Sequence, residues 1–150
     1  MALKDTIQDD TKAALLSGNR FVGDTLRNLK AAILNEEVAQ NKREEGLSDG
    51  EIEKIIAREV KKRNESIALY EANGRPELAE DERKEAEVLS RYLPEQLGED
   101  ELRAIVTAKI AELGVSGPQA MGQVIGSVKQ QVGTTADGAT LARIVKETLN

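Results

Sequence analysis

MGQVIGSVKQQVGTTADGATLARIVKETLN, Met121–Asn150, decides how the rest of the chain is read. Met121, Val124, Ile125, Val128 and Val132 recur at steps of three and four, which is one face of a helix. After a Gly133-Thr134-Thr135 turn the same spacing returns in Leu141, Ile144, Val145 and Leu149. Ala136-Asp137-Gly138 stands ahead of that second run, with Asp137 where an N-cap belongs. Gly122 and Gly126 are four residues apart and share one edge of the first helix. Each costs about 1 kcal/mol of helix propensity relative to Ala. A helix that accepts this cost gains close approach of another backbone. The first expectation is a helix of the same domain; the other occupant is a partner such as a nucleic-acid backbone.

Upstream the chain reads as further helices. The first runs from about Ala2 to Ser17, with Leu3, Ile7, Ala14 and Leu15 on its apolar side and Gly18-Asn19 as its stop. The second starts near Arg20, and Val22, Leu26, Leu29 and Ile33 form its stripe. Past Leu34 that stripe thins, and residues 35–45 read either as a solvated helix end or as a frayed loop. Ser48-Asp49-Gly50-Glu51 matches a capping box and opens a third helix to about Asn73. Ile52, Ile55, Ile56, Val60, Ile67 and Tyr70 share one of its faces. Lys54, Arg58, Lys61 and Lys62 share the opposite one, read first as solvated surface with acidic neighbours and second as a phosphate-facing stripe. Asn73-Gly74 with Pro76 separates it from a fourth helix, Glu77 to about Arg91. Tyr92-Leu93-Pro94 ends that helix, because a residue before proline avoids helical geometry. The fifth helix follows Gly98, with Leu102, Ile105, Val106, Ile110 and Leu113 as its stripe. The sixth spans about Pro118 to Val132.

No strand-period alternation appears. The expected fold is all-α: about seven helices in two subdomains. Residues 1–93 form an N-terminal helical part with long helices, and residues 94–150 a C-terminal three-helix bundle. One Phe, two Tyr and no Trp in 150 residues demand an aliphatic core. With 32% charged residues disorder is the competing class, and the regular apolar periodicity argues against it.

The chain has no Cys and no His. That removes thiol nucleophiles, disulfides, the usual N/S zinc sites and the commonest general base. No metal site, cofactor or catalytic residue is expected. Gly117 and Gly122 have the spacing of phosphate-loop glycines, but Gln123-Val124 stand where Lys-Ser/Thr is needed. Glu36-Glu37 and Glu44-Glu45 are adjacent and so point different ways on a helix, unlike a convergent acid–base pair. The N-terminus MALKDTIQDD is polar and no secretory signal, and no apolar run approaches a membrane span, so a cytoplasmic protein with no membrane partner is expected. The net charge of −6 is uneven. Residues 71–101 carry 4 basic and 11 acidic side chains, and residues 102–150 carry 5 basic and 3 acidic. Nucleic-acid binding is therefore expected only locally, in the C-terminal third.

Met121-Gly122-Gln123-Val124-Ile125-Gly126, then Ala136-Asp137-Gly138, then Ile144-Val145-Lys146-Glu147-x-Leu149, resemble the C-terminal signature of the GatB/YqeY family. Arg27-Asn28-Leu29-Lys30-Ala31-Ala32-Ile33, Lys61-Lys62-Arg63-x-Glu65-Ser66, Tyr70 with Gly74-Arg75, and Tyr92-Leu93-Pro94-x-Gln96-Leu97 fit the same family in the same order. The resemblance covers nearly the whole chain. The same helical module is the tail of the B subunit of the glutamine-dependent tRNA amidotransferase, a carbon–nitrogen ligase. There the tail helps hold tRNA, while ATP and metal chemistry lie upstream of it. The resemblance implies an all-helical fold and a tRNA-related accessory role, and does not extend to amide transfer by this chain alone; an amidase- or ligase-like activity is a third reading, against which the missing His and Cys and the absent nucleotide motif count. It implies tRNA, amidotransferase subunits or another protein as partner. Lys129, Arg143 and Lys146 are the expected phosphate contacts, with Gly122, Gly126, Gly133, Asp137 and Gly138 shaping helix packing or backbone approach. One departure stands out: members often carry Lys-Gly-Arg where this chain has Val132-Gly133-Thr134-Thr135. A protein–protein module without an RNA role is the rival expectation.

Overall fold

The computed structural model describes residues 2–150. Where side chains repeat at helical spacing, helices form. Among the described residues there are seven: α1 (Leu3–Leu16), α2 (Arg20–Ala39), α3 (Asp49–Ala72), α4 (Pro76–Ser90), α5 (Glu99–Leu113), α6 (Met121–Val132) and α7 (Gly138–Leu149). Short 3-10 turns at Pro118–Ala120 and Gly133–Thr135 bracket α6. The fold is all-α, and its helix ends fall within a few residues of the signals that predict them.

Those ends are set by local chemistry. Asn19 accepts a hydrogen bond from the Val22 amide and caps α2. The capping box of α3 is complete: the Glu51 amide donates to Ser48 Oγ at 3.2 Å, and the Ser48 amide donates to Glu51 at 2.9 Å. Pro76 occupies the first turn of α4, where its missing N–H costs nothing. Gly114 ends α5 at φ 64° and ψ 31°, a left-handed cap that disfavours any residue with a Cβ. The open choice at 35–45 divides: α2 runs on to Ala39, and residues 40–45 leave the helix in turns, with Asn41 at φ 57°.

The chain divides into two compact units, Met1–Leu93 and Pro94–Asn150. In the first, the aliphatic stripes of α2 and α3 (Leu26, Leu29, Ile33, Ile52, Ile55 and Ile56) bury against Ile7 of α1 and Val88-Leu89 of α4. Beyond Val60 the stripe of α3 is only half-buried, because α3 outgrows this core and has α4 beside it. There ion pairs supplement packing. Arg63 Nε lies 3.2 Å from Glu85, and Arg83 of α4 pairs with Glu71 of α3. In the second unit, Leu102 and Val106 of α5, Val124, Val128 and Val132 of α6, and Leu141, Ile144 and Val145 of α7 close a three-helix core.

Two features depart from the sequence expectation. Glu37, read as part of a solvated stretch, is 2% exposed. It continues the core stripe one turn past Ile33 and is held there by Lys4 Nζ at 2.7 Å and the Leu47 amide at 3.4 Å. The second concerns close helix approach. The glycine that allows it is Gly23, buried in α2, where an added Cβ would stand 2.7 Å from Leu15 Cδ2 of α1.

Candidate functional site

The second unit carries the residues singled out for phosphate contact and for packing. Apolar spacing turns Val124, Val128 and Val132 of α6 inward, so Gly122 and Gly126 come to lie on the outward face. A Cβ built on either glycine meets no atom within 4 Å. The expected packing of this edge against a helix of the same domain is therefore absent. The edge is open backbone. Lys129 continues it at the next turn, since residues 122, 126 and 129 are spaced four and three. Lys129 is exposed, lies in the last turn of α6 where a cation suits the helix dipole, and has no ion-pair partner among the described residues.

The chain then turns at Gly133. Its φ of 57° and ψ of −130° lie where only glycine is comfortable. The neutral step that replaces Lys-Gly-Arg is tied down rather than free. The Gln96 side-chain amide donates to the Thr134 carbonyl at 2.9 Å, and the Leu97 amide donates to the Thr135 carbonyl at 2.8 Å. Thr135 Oγ1 donates to the Val132 carbonyl at 2.6 Å. Asp137 caps α7, accepting from the Thr140 amide and the Thr140 hydroxyl, both at 3.0 Å. Gly138 opens that helix and has open space where a Cβ would be. Asp137 and Gly138 thus shape a helix start, and Gly133 shapes a turn.

On α7, Arg143 and Lys146 are one turn apart, but their surroundings differ. Arg143 pairs with Glu99 at the start of α5 and lies 3.2 Å from Glu147. Glu147 in turn accepts from Arg103 of α5 at 2.9 Å. The four alternate in charge and bridge α5 to α7. The Glu147 hydrogen bond, and after it the charge of Glu99, raises the Arg143 guanidinium above its ordinary pKa. The hydrogen bond from Arg103, and then that from Arg143, holds the Glu147 carboxyl below the usual range. A phosphate would have to compete with two carboxylates for Arg143. Lys146, exposed in the last turn of α7, has no such partner among the described residues.

The α5–α7 bridge escaped the sequence reading. The Arg143–Glu147 spacing of four was visible as a helical pair, but Glu99 is 44 residues from Arg143 and only the fold joins them. Of the basic face of α3, Arg58 lies 3.8 Å from Glu36 and Lys62 lies 3.1 Å from Glu59, which fits solvated surface with acidic neighbours. Among the described residues no group of three Asp or Glu side chains is arranged to hold a metal ion, and no helix is long and apolar enough to cross a membrane.

A family model described as Yqey-like protein matches residues 4–149. Three fungal proteins, each named "Altered inheritance of mitochondria protein 41, mitochondrial", are similar to the chain. That of Clavispora lusitaniae is 29% identical over 92 residues, 61% of this chain and 52% of that protein. That of Pyrenophora tritici-repentis is 26% identical over 144 residues, 94% of this chain and 77% of that protein. That of Candida glabrata is 27% identical over 115 residues, 75% of this chain and 63% of that protein. The matched part thus spans about half of the first relative's length. Their names speak of mitochondria and of no amidotransferase. They overturn the expectation of a cytoplasmic protein. A polar N-terminus argues against a secretory signal, but it does not distinguish cytosol from organelle, because mitochondrial import reads amphipathic basic segments rather than apolar ones.

Proposed function

The chain belongs to the YqeY-like family, and on that premise we propose that it is a non-catalytic accessory protein that holds tRNA, by itself or on a tRNA-dependent amidotransferase. The contact surface is the outward face of α6 and α7. The observation that supports this is the open edge of α6, where Gly122 and Gly126 expose backbone that runs directly into Lys129, which has no ion-pair partner among the described residues. A phosphate chain approaches such an edge without meeting side chains, and Lys129 and Lys146 supply the charge. Arg143 keeps α5 and α7 together beneath them and acts as a positioning residue.

Titration with bulk tRNA at low and moderate salt tests this. Saturable binding that weakens with salt is expected, and Lys129→Ala and Lys146→Ala should each lower the salt slope by about 1. No saturable binding at low salt sinks the RNA reading. A second reading rests on Leu69 and Leu78, which stand 64% and 39% exposed near the α3–α4 turn. There the chain docks a protein partner and has no RNA role. Co-purification of a stoichiometric protein that survives nuclease, and is lost in Leu69→Ser with Leu78→Ser, favours that reading.

A further inference from the structure

Where the start of α2 meets α4, the first unit carries an open groove that the proposed function does not use. α2 gives it Phe21 and Val22. α4 gives it Val88 and four charged side chains, Asp81, Lys84, Glu87 and Arg91. Val88 is buried, while Phe21, the one Phe of the chain, stands 38% exposed. The four charged side chains are all exposed.

Positions 81, 84, 88 and 91 step by three, four and three, so they share one face of α4, with Glu87 at its edge. The charges alternate along it: negative at Asp81, positive at Lys84, negative at Glu87 and positive at Arg91. The chain itself does little to neutralise them. Glu87 and Arg91 approach each other only to 3.6 Å, both largely in water. Asp81 and Lys84 have no ion-pair partner among the described residues. The face therefore offers unspent charge of both signs in a fixed order, beside an exposed aromatic ring.

We propose that this face of α4 pairs antiparallel with the same face of a second copy of the chain. The order of the charges selects that occupant. Across a two-fold axis, residue i of one copy meets residue j of the other, and j meets i. With the axis near position 86, Asp81 stands opposite Arg91 of the second copy and Lys84 opposite its Glu87, and each pair occurs twice. The stripe is thus its own antiparallel complement. A parallel pair would set every charge against its like. Phe21 and Val22, beside the stripe, lose water as the second α4 closes over the groove, which supplies affinity while the charges set orientation. From Asp81 to Arg91 the helix rises only about 15 Å. A contact of that length belongs with small, transient interfaces, so the dimer is weak and sensitive to salt.

Sedimentation equilibrium of the full chain, from micromolar to millimolar protein at low and moderate salt, tests this. A monomer–dimer equilibrium that weakens with salt is expected. Asp81→Lys and Arg91→Glu each place two like-charged pairs across the axis, and each should weaken the dimer roughly tenfold. Mixed in equal amounts, the two variants should dimerise about as well as wild type. In the mixed pair the two reversed charges face each other, and so do the two native ones. Phe21→Ser should weaken the dimer and leave its salt dependence unchanged. The proposal falls if the chain stays monomeric throughout, if larger assemblies form in place of a dimer, if single reversals leave association unchanged, or if mixing them fails to restore it. Asp81 and Arg91 are exposed, so their reversal spares the core, and circular dichroism of each variant checks that the fold is kept.

Discussion

Lys4 Nζ lies 2.7 Å from Glu37 Oε2, joining the start of α1 to the end of α2 across 33 positions of sequence. Glu37 is buried and Lys4 is 45% exposed, so the carboxylate is desolvated and the ammonium is largely not. Removing the lysine leaves a buried charge with only the Leu47 amide to satisfy it. Lys4→Met should therefore cost about 2 kcal/mol, below the usual loss for a fully buried pair because water reaches one partner. Glu37→Gln, which keeps an acceptor for Leu47, should cost less. Urea unfolding of both variants and of the double variant gives the coupling; full additivity would contradict it.

Gly122 and Gly126 separate stability from function. Both have helical backbone and open space where a Cβ would go. Gly122→Ala and Gly126→Ala should each stabilise the protein by up to about 1 kcal/mol. The same methyl groups obstruct a backbone approaching the edge, so tRNA affinity should fall as stability rises. Melting curves and tRNA titrations on the same samples check both halves. Unchanged affinity with raised stability would remove the edge from the interface.

The bridge through Glu147 makes the second unit acid-sensitive. Its carboxyl is held low by the hydrogen bond from Arg103 first and by Arg143 second. A carboxyl with a lowered folded-state pKa adds stability above its unfolded value, about 4.3 for Glu, and loses it as pH falls through the folded value. Arg103→Ala with Arg143→Ala should be less stable than wild type near neutrality and lose less between about pH 5 and pH 3. Added salt should narrow the difference, since all four groups face solvent. Thermal midpoints across that range decide it, and parallel curves would count against the bridge.

Tyr92 works at the other end of the pH scale. Its hydroxyl donates to Asp10 Oδ2 at 2.5 Å, joining the segment after α4 to α1. Burial, and then that hydrogen bond, pushes the phenol well above its ordinary range. A group raised in this way adds stability that is complete below its unfolded value, about 10, and is lost as pH rises toward the folded one. Tyr92→Phe should cost about 1 kcal/mol at neutral pH and flatten the alkaline loss. Circular dichroism during alkaline titration of both proteins reads the effect; identical alkaline midpoints relative to neutral stability would refute it.

The aliphatic stripes of α2, α3 and α5–α7 were legible because a helix repeats every 3.6 residues and the core takes one face of it. The caps at Ser48 and Asp137 were legible because capping is a contact between near neighbours. Glu37 was less so. It fell in the stretch read as a solvated helix end or frayed loop, because the lysine that makes a carboxylate tolerable in the core is 33 positions away in sequence. The glycines show the same limit. A glycine in a helix signals room for a neighbour, and sequence says nothing of whether the neighbour comes. At Gly23 it is Leu15 of the same chain; at Gly122 and Gly126 the space is empty.

What the sequence by itself determined is therefore what arises within a few residues of chain: the helices, their caps, their buried faces and the family signature. What only the tertiary structure decided is which distant groups meet. Lys4 reaches Glu37, Arg143 is drawn to Glu99, and Lys129 has no ion-pair partner among the described residues. Helical periodicity is a property of the local backbone. Charge pairing and open space depend on how helices are set against one another, and in this molecule they sort the basic residues into those that hold the fold and those still free to hold something else.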